Sequence, residues 1–147
     1  MKDTLDLPLS YWVEDFETVK LDGKDEALVG HGPVYVSDNY ILVRESNNVP
    51  CKLFRRDASF VGKVGSIGLG PGEYTDVYDM QIDEQAEHIY LLPFRSKAIY
   101  VYDLKGNYQK DIPLNKKYEK MMVPKGLFKV DAAKNRVAVM TLPFDCN

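Results

Sequence analysis

Three segments of this 147-residue chain recur 48 positions downstream without a gap. Residues 52–60 fall on 100–108, 40–43 on 88–91, and 80–83 on 128–131. One short match would be commonplace. An ungapped period held over about 90 residues is hard to obtain except from duplicated units, and self-similarity at about 20–50 residues is the mark of repeat architectures.

Within each unit the apolar runs are short, rich in β-branched and aromatic residues, and broken by polar or glycine turns, which is the strand pattern. The first unit offers strands at 34–36, 40–44, 51–55 and 60–64, and the second at 77–83, 89–93, 98–102 and 108–112. The intervening turns are short enough for antiparallel hairpins. A third unit offers only 126–130 and 136–141, and ahead of them all, Phe16-Glu17-Thr18-Val19-Lys20-Leu21 alternates apolar and polar as a further strand would.

Four-stranded antiparallel units at this period bury both faces by stacking radially into propellers of about 4–8 blades. The expectation is therefore an all-β fold of propeller blades: an N-terminal strand of the kind that closes a ring, two full blades and half of a third. One partial domain would run through 1–13 (N-terminal segment), 14–33 (strand and lead-in), 34–64 (first blade), 65–76 (Gly-rich crossing), 77–114 (second blade), 115–125 (crossing loop) and 126–147 (half blade). An antiparallel sandwich is the alternative, and it would need no repeat.

Between the two complete units lies Val64-Gly65-Ser66-Ile67-Gly68-Leu69-Gly70-Pro71-Gly72-Glu73-Tyr74. A chain crossing from the outer edge of one sheet to the inner strand of the next needs glycine where a Cβ would clash or φ turns positive. The structural motif is Gly68, Gly70, Pro71, Gly72, Glu73 and Tyr74: Pro71 stiffens the turn, Glu73 accepts backbone N–H bonds, and the Tyr74 ring packs between sheets with its hydroxyl paired at the rim. A phosphate cradle is the competing reading, but there is no Gly-Lys-Ser/Thr ending and a strand follows where an anion site wants a helix N-terminus.

This segment, with Ile89-Tyr90-Leu91 and Ile99-Tyr100-Val101-Tyr102-Asp103-Leu104-Lys105-Gly106, resembles the blade junctions of NHL-type repeats. Over residues 14–142 it is similar to the six-bladed, NHL-like or TolB-like propellers of gut Bacteroidota. The resemblance implies an exported protein, periplasmic or an outer-membrane lipoprotein, of unassigned biochemical role. Where NHL repeats carry an Asp-x-x-Asn-like stretch, this chain has Leu92-Pro93-Phe94-Arg95-Ser96-Lys97, so ligand roles tied to that stretch do not transfer.

Composition narrows function. The net charge of −3 and pI near 5.4 argue against nucleic acid, because phosphate backbones are bound by clustered Lys and Arg. No stretch has the length or apolarity of a signal peptide or membrane span. Cys51 and Cys146 lie 95 positions apart without metal-ligand spacing, and read as unpaired thiols or, alternatively, a disulfide. His31 and His88 stand ahead of different strands, and Ser10, Ser37, Ser46, Ser59, Ser66 and Ser96 have no G-x-S-x-G context.

Asp76, Asp79, Asp83 and Glu84 gather around one strand. Carboxylates near a propeller channel can bind Ca²⁺, with Asp79 the leading candidate for a channel or metal role. The plainer reading has Asp83 and Glu84 forming a hairpin turn. The basic stretch 116–125 is a crossing or a partner-binding loop, with Met121, Met122 and Val123 tucked inward, and Trp12 could clip the N-terminal segment to the sheet. No catalytic residues are assigned. The expected function is a non-catalytic binding or scaffolding protein for a protein, peptide or carbohydrate, self-associating through exposed sheet faces and edges. The alternative is a metal-dependent hydrolase, lactonase or lyase whose site lies largely outside the chain.

Overall fold

The computed structural model describes residues 8–45, 48–94, 96–114 and 128–139. Twelve strands follow in order: β1 (Val34–Val36), β2 (Tyr40–Val43), β3 (Cys51–Arg55), β4 (Phe60–Val64), β5 (Ser66–Ile67), β6 (Glu73–Tyr74), β7 (Val77–Asp83), β8 (His88–Pro93), β9 (Ala98–Asp103), β10 (Tyr108–Pro113), β11 (Phe128–Asp131) and β12 (Arg136–Val139). They form two antiparallel four-stranded meanders, β1–β2–β3–β4 and β7–β8–β9–β10, an antiparallel hairpin β11–β12, and a short parallel pair β5–β6.

The 48-residue period is written into the turns. Arg55 N–H bonds the Ser59 carbonyl and Ala58 N–H the Arg55 carbonyl, and 48 residues later Asp103 and Gly106 make the same two bonds to Asn107 and Asp103. In both β3–β4 and β9–β10 one residue, Val61 or Gln109, is skipped by the pairing and forms a bulge. The β7–β8 and β11–β12 turns match likewise: Asp83 and Asp131 each accept the N–H three residues on, and Glu87 and Asn135 are left-handed at φ +55° and +49°.

Because strand side chains alternate, each meander presents two apolar faces, and these build three cores. Leu42, Cys51, Leu53 and Val64 of the first sheet meet Val77, Met80, Ile82, Ile89, Leu91 and Tyr102 of the second. The other face of the second sheet, with Tyr90, Leu92, Ile99 and Val101, is packed with Phe128 and Val130 of β11. The far face of the first sheet, with Ile41, Val43 and Phe54, is covered by Ala27 and by half-buried Val19, Leu21 and Val29 of the lead-in.

The all-β expectation holds, and the propeller expectation does not. No sheet closes into a ring among the described residues, and residues 16–21, expected to be the closing strand, form no ladder. Their alternation is satisfied differently, since Val19 and Leu21 pack flat on the first sheet while Phe16 points to solvent. Trp12 is 71% exposed and meets the Tyr11 ring edge-on, so it clips nothing to the sheet. β2 ends at Val43 rather than 44, and β11 begins at Phe128. The 116–125 loop, Cys146, Ser46, Arg95, Gly126 and the expected end of the last strand at 140–141 lie outside the described residues.

Candidate functional site

The Gly-rich segment is a structural lock. A Cβ on Gly72, at φ +71°, would stand 2.3 Å from Cγ of Tyr108, and one on Gly68 would stand 2.0 Å from Oε2 of Glu73. Glu73 accepts the Gly70 N–H at 2.9 Å, which closes the turn around Pro71 and sets β6 beside β5. Tyr74 lies in the core shared by the first and second sheets, and its hydroxyl is buried rather than at the rim. It donates to the Val64 carbonyl and accepts the Cys51 N–H at 2.9 Å, joining the end of one sheet to the middle strand of the same sheet. Burial pushes the phenol well above its usual range. Leu69, at the tip, is 95% exposed.

Beside the segment, burial pushes the free Cys51 thiol up to about 11, which suppresses the thiolate a nucleophile needs. Among the described residues no three His, Cys, Asp or Glu side chains gather as metal ligands. His31 is exposed, and half-buried His88 lies 3.4 Å from the Tyr90 hydroxyl.

A better-formed feature lies where three hairpin turns converge. The β1–β2, β7–β8 and β11–β12 turns line a groove of about 780 Å³. Glu84 ties its first two walls together, its carboxylate accepting the Ser37 hydroxyl at 2.6 Å, the Asn39 N–H at 2.7 Å and the Asn39 side-chain amide at 2.6 Å. Burial works to raise this carboxyl, but the bonds from Ser37 and Asn39 outweigh it and hold it below its ordinary value.

The other wall is fixed by side chains reaching backbone. Buried Gln81 donates to the Val130 carbonyl and accepts its N–H, both at 2.9 Å, so its amide stands in for a strand neighbour. Asp79 accepts its neighbour Met80 N–H at 2.9 Å through one oxygen and Phe128 N–H at 3.2 Å through the other. The residue expected to face a solvated channel therefore holds β11 against β7. Asp83 serves its own turn, as the plainer reading had it. Asp38, Gln85 and Lys129 stand along the groove.

Glu84 and Gln81 were only partly readable in advance. Glu84 was visible as a turn former, not as a clamp across 47 residues to Ser37. A signal did exist: the positions 48 downstream of Glu84 and Gln81 are Ala132 and Lys129, so these two side chains break the repeat.

Set beside known proteins, residues 1–135 match the family profile described as "Domain of unknown function (DUF4934)". No curated protein matches. Among solved structures, a crystal structure of a Bacteroides fragilis protein inferred to be exported is similar, at 26% identity and a TM-score of 0.55, over 65% of this chain and 28% of that one. The present chain thus spans little more than a quarter of that protein's length. The resemblance to NHL-type and TolB-like propellers is overturned, since the family found is neither and no sheet closes among the described residues. No helix among the described residues is long and apolar enough to cross a membrane.

Proposed function

The chain belongs to the DUF4934 family, and from that footing we propose that it is a non-catalytic binding or scaffolding protein whose ligand seats in the groove between the three hairpin turns. The observation that carries this reading is the groove itself: about 780 Å³, within the roughly 300–1,000 Å³ usual for ligand sites, with walls pinned by Glu84 on one side and by Gln81 and Asp79 on the other. Among the described residues its lining contains no aromatic ring, which favours a peptide or protein segment over a sugar, since sugars are commonly gripped by stacking. Carboxamide, hydroxyl and backbone groups are suited to an extended polypeptide.

Export to the periplasm or outer membrane belongs to the same reading, supported by the Bacteroides fragilis relative. So does self-association through uncovered strand edges.

The test is a ¹⁵N NMR titration with three probes: a lysine-rich peptide, a glutamate-rich peptide and a linear maltooligosaccharide. Saturable shifts confined to Ser37, Asp38, Gln85 and Lys129 with one of the peptides support the reading. Silence from all three, together with Ca²⁺-dependent turnover of an ester or lactone panel, would replace it with the hydrolase alternative.

A further inference from the structure

The groove lies open on the side where a clamp of the repeat is missing. The β7–β8 and β11–β12 turns are equivalent, closed by the pairs Asp83↔His88 and Asp131↔Arg136. In the first of them Glu84 reaches the β1–β2 turn through Ser37 and Asn39. The same position in the second is Ala132, whose methyl group can accept no such bonds from the β7–β8 turn. Ala86, Ala132 and Ala133 line the space that remains.

The charge facing that space is negative. Among the described residues the exposed Asp38 carboxylate has no hydrogen-bond or ion-pair partner. Asp83 accepts the Ala86 N–H, and the three donors to Glu84 are all uncharged, so neither charge is neutralised by a cation. Asp131 is paired, with Lys134 at 3.1 Å, and Lys129 is the one cation among the described lining residues. Nor do these carboxylates converge, since no three described side chains gather as metal ligands. A Ca²⁺ ion takes about 6–8 oxygens around one point, whereas charge spread along neighbouring turns suits cations carried on a chain.

We infer that the groove takes a polypeptide segment bearing lysine or arginine, its cation set among Asp38, Asp83 and Glu84 and its aliphatic stem laid on Ala86, Ala132 and Ala133. Long cationic side chains cover apolar surface with their methylenes while the charged head stays in polar surroundings, and this groove offers both. Lys129 repels the same ligand and limits its affinity. The assignment rests on the groove reading above and adds to it the charge of the ligand.

The test exploits Asp38 and Lys129, whose side chains are exposed and make no hydrogen bond among the described residues. Asp38→Asn and Lys129→Gln therefore alter charge without disturbing the fold, which circular dichroism melts check. Titrated by fluorescence anisotropy at low salt, the lysine-rich peptide should bind roughly 2- to 5-fold more weakly to Asp38→Asn and more tightly by a similar factor to Lys129→Gln. Added salt should weaken its binding to all three proteins. A lysine-rich peptide that binds in the groove with equal affinity for parent and both variants overturns the charge assignment and leaves the groove reading standing, as does a preference for the glutamate-rich peptide. No saturable binding of either peptide overturns both. Amide shifts at Asp38 and Gln85 with Ca²⁺ alone, and none with the peptide, assign the carboxylates to a metal ion, which also overturns the proposal.

Discussion

Ala58 and Gly106 occupy one left-handed corner, 48 residues apart, at φ +73° and +86°. An L-residue in this region costs about 1–2 kcal/mol through the contact of its Cβ with the following carbonyl, and glycine does not. Ala58→Gly should therefore raise stability by about 1 kcal/mol, part of the gain being offset by the greater freedom of glycine in the unfolded chain. Urea unfolding measures it, and a variant no more stable than the parent would show the corner to be relaxed. Gly106→Ala should lose more than Ala58→Gly gains, because the added methyl would stand 2.0 Å from the Lys63 carbonyl oxygen. At Tyr74 the hydroxyl, bonded on both sides, carries the effect. Tyr74→Phe strips a partner from the buried Val64 carbonyl and Cys51 N–H and should cost about 1–3 kcal/mol by the same measurement.

Between elements, the joints are side chains bonded to turns and strand backbones, and the Glu84 carboxylate is one of them. Its folded-state carboxyl lies below its ordinary value, with burial opposed and outweighed by the Ser37 and Asn39 bonds. A depressed carboxyl contributes stability that is fully present above its unfolded value and is lost as pH falls through the folded one. Stability should therefore decline on acidification below about pH 4.5, the decline shared with Glu45, which the Lys52 ammonium and Gly30 N–H hold down against its burial. Glu84→Gln should give a shallower acid limb in melts taken from pH 6 downward, and an unchanged limb would mean the clamp is not ionised when formed. The strands that these joints connect were legible because period-two alternation and short polar turns are local signals. The joints were not, because a glutamate in a turn looks the same whether it caps that turn or reaches a neighbouring one. Residues 16–21 misled for a related reason: the alternation required by a ladder also serves a segment lying flat with Val19 and Leu21 buried.

At the scale of the whole molecule, the period announced repeated sheets, while closure depends on partners that no local pattern encodes. Two meanders and a hairpin stack without forming a ring among the described residues, and their stability lies in the faces between them. The first and second sheets are one cooperative body by this argument. Leu42, Leu53, Ile89, Leu91 and Tyr102, at most 1% exposed, share a single core, and the Tyr102 hydroxyl donates to the Gly72 carbonyl of the crossing at 2.8 Å. Truncating that ring removes a large apolar contact from both sheets at once and strands the Gly72 carbonyl. Tyr102→Ala should cost about 3–5 kcal/mol, and it should weaken both meanders equally, although Tyr102 belongs to only one. Native-state hydrogen exchange resolves the two cases. Equal loss of protection at Leu42 and Leu53 and at Ile89 and Leu91 is expected of a shared core, whereas a loss confined to β7–β10 would mean that each meander holds its own stability and the interface merely joins them.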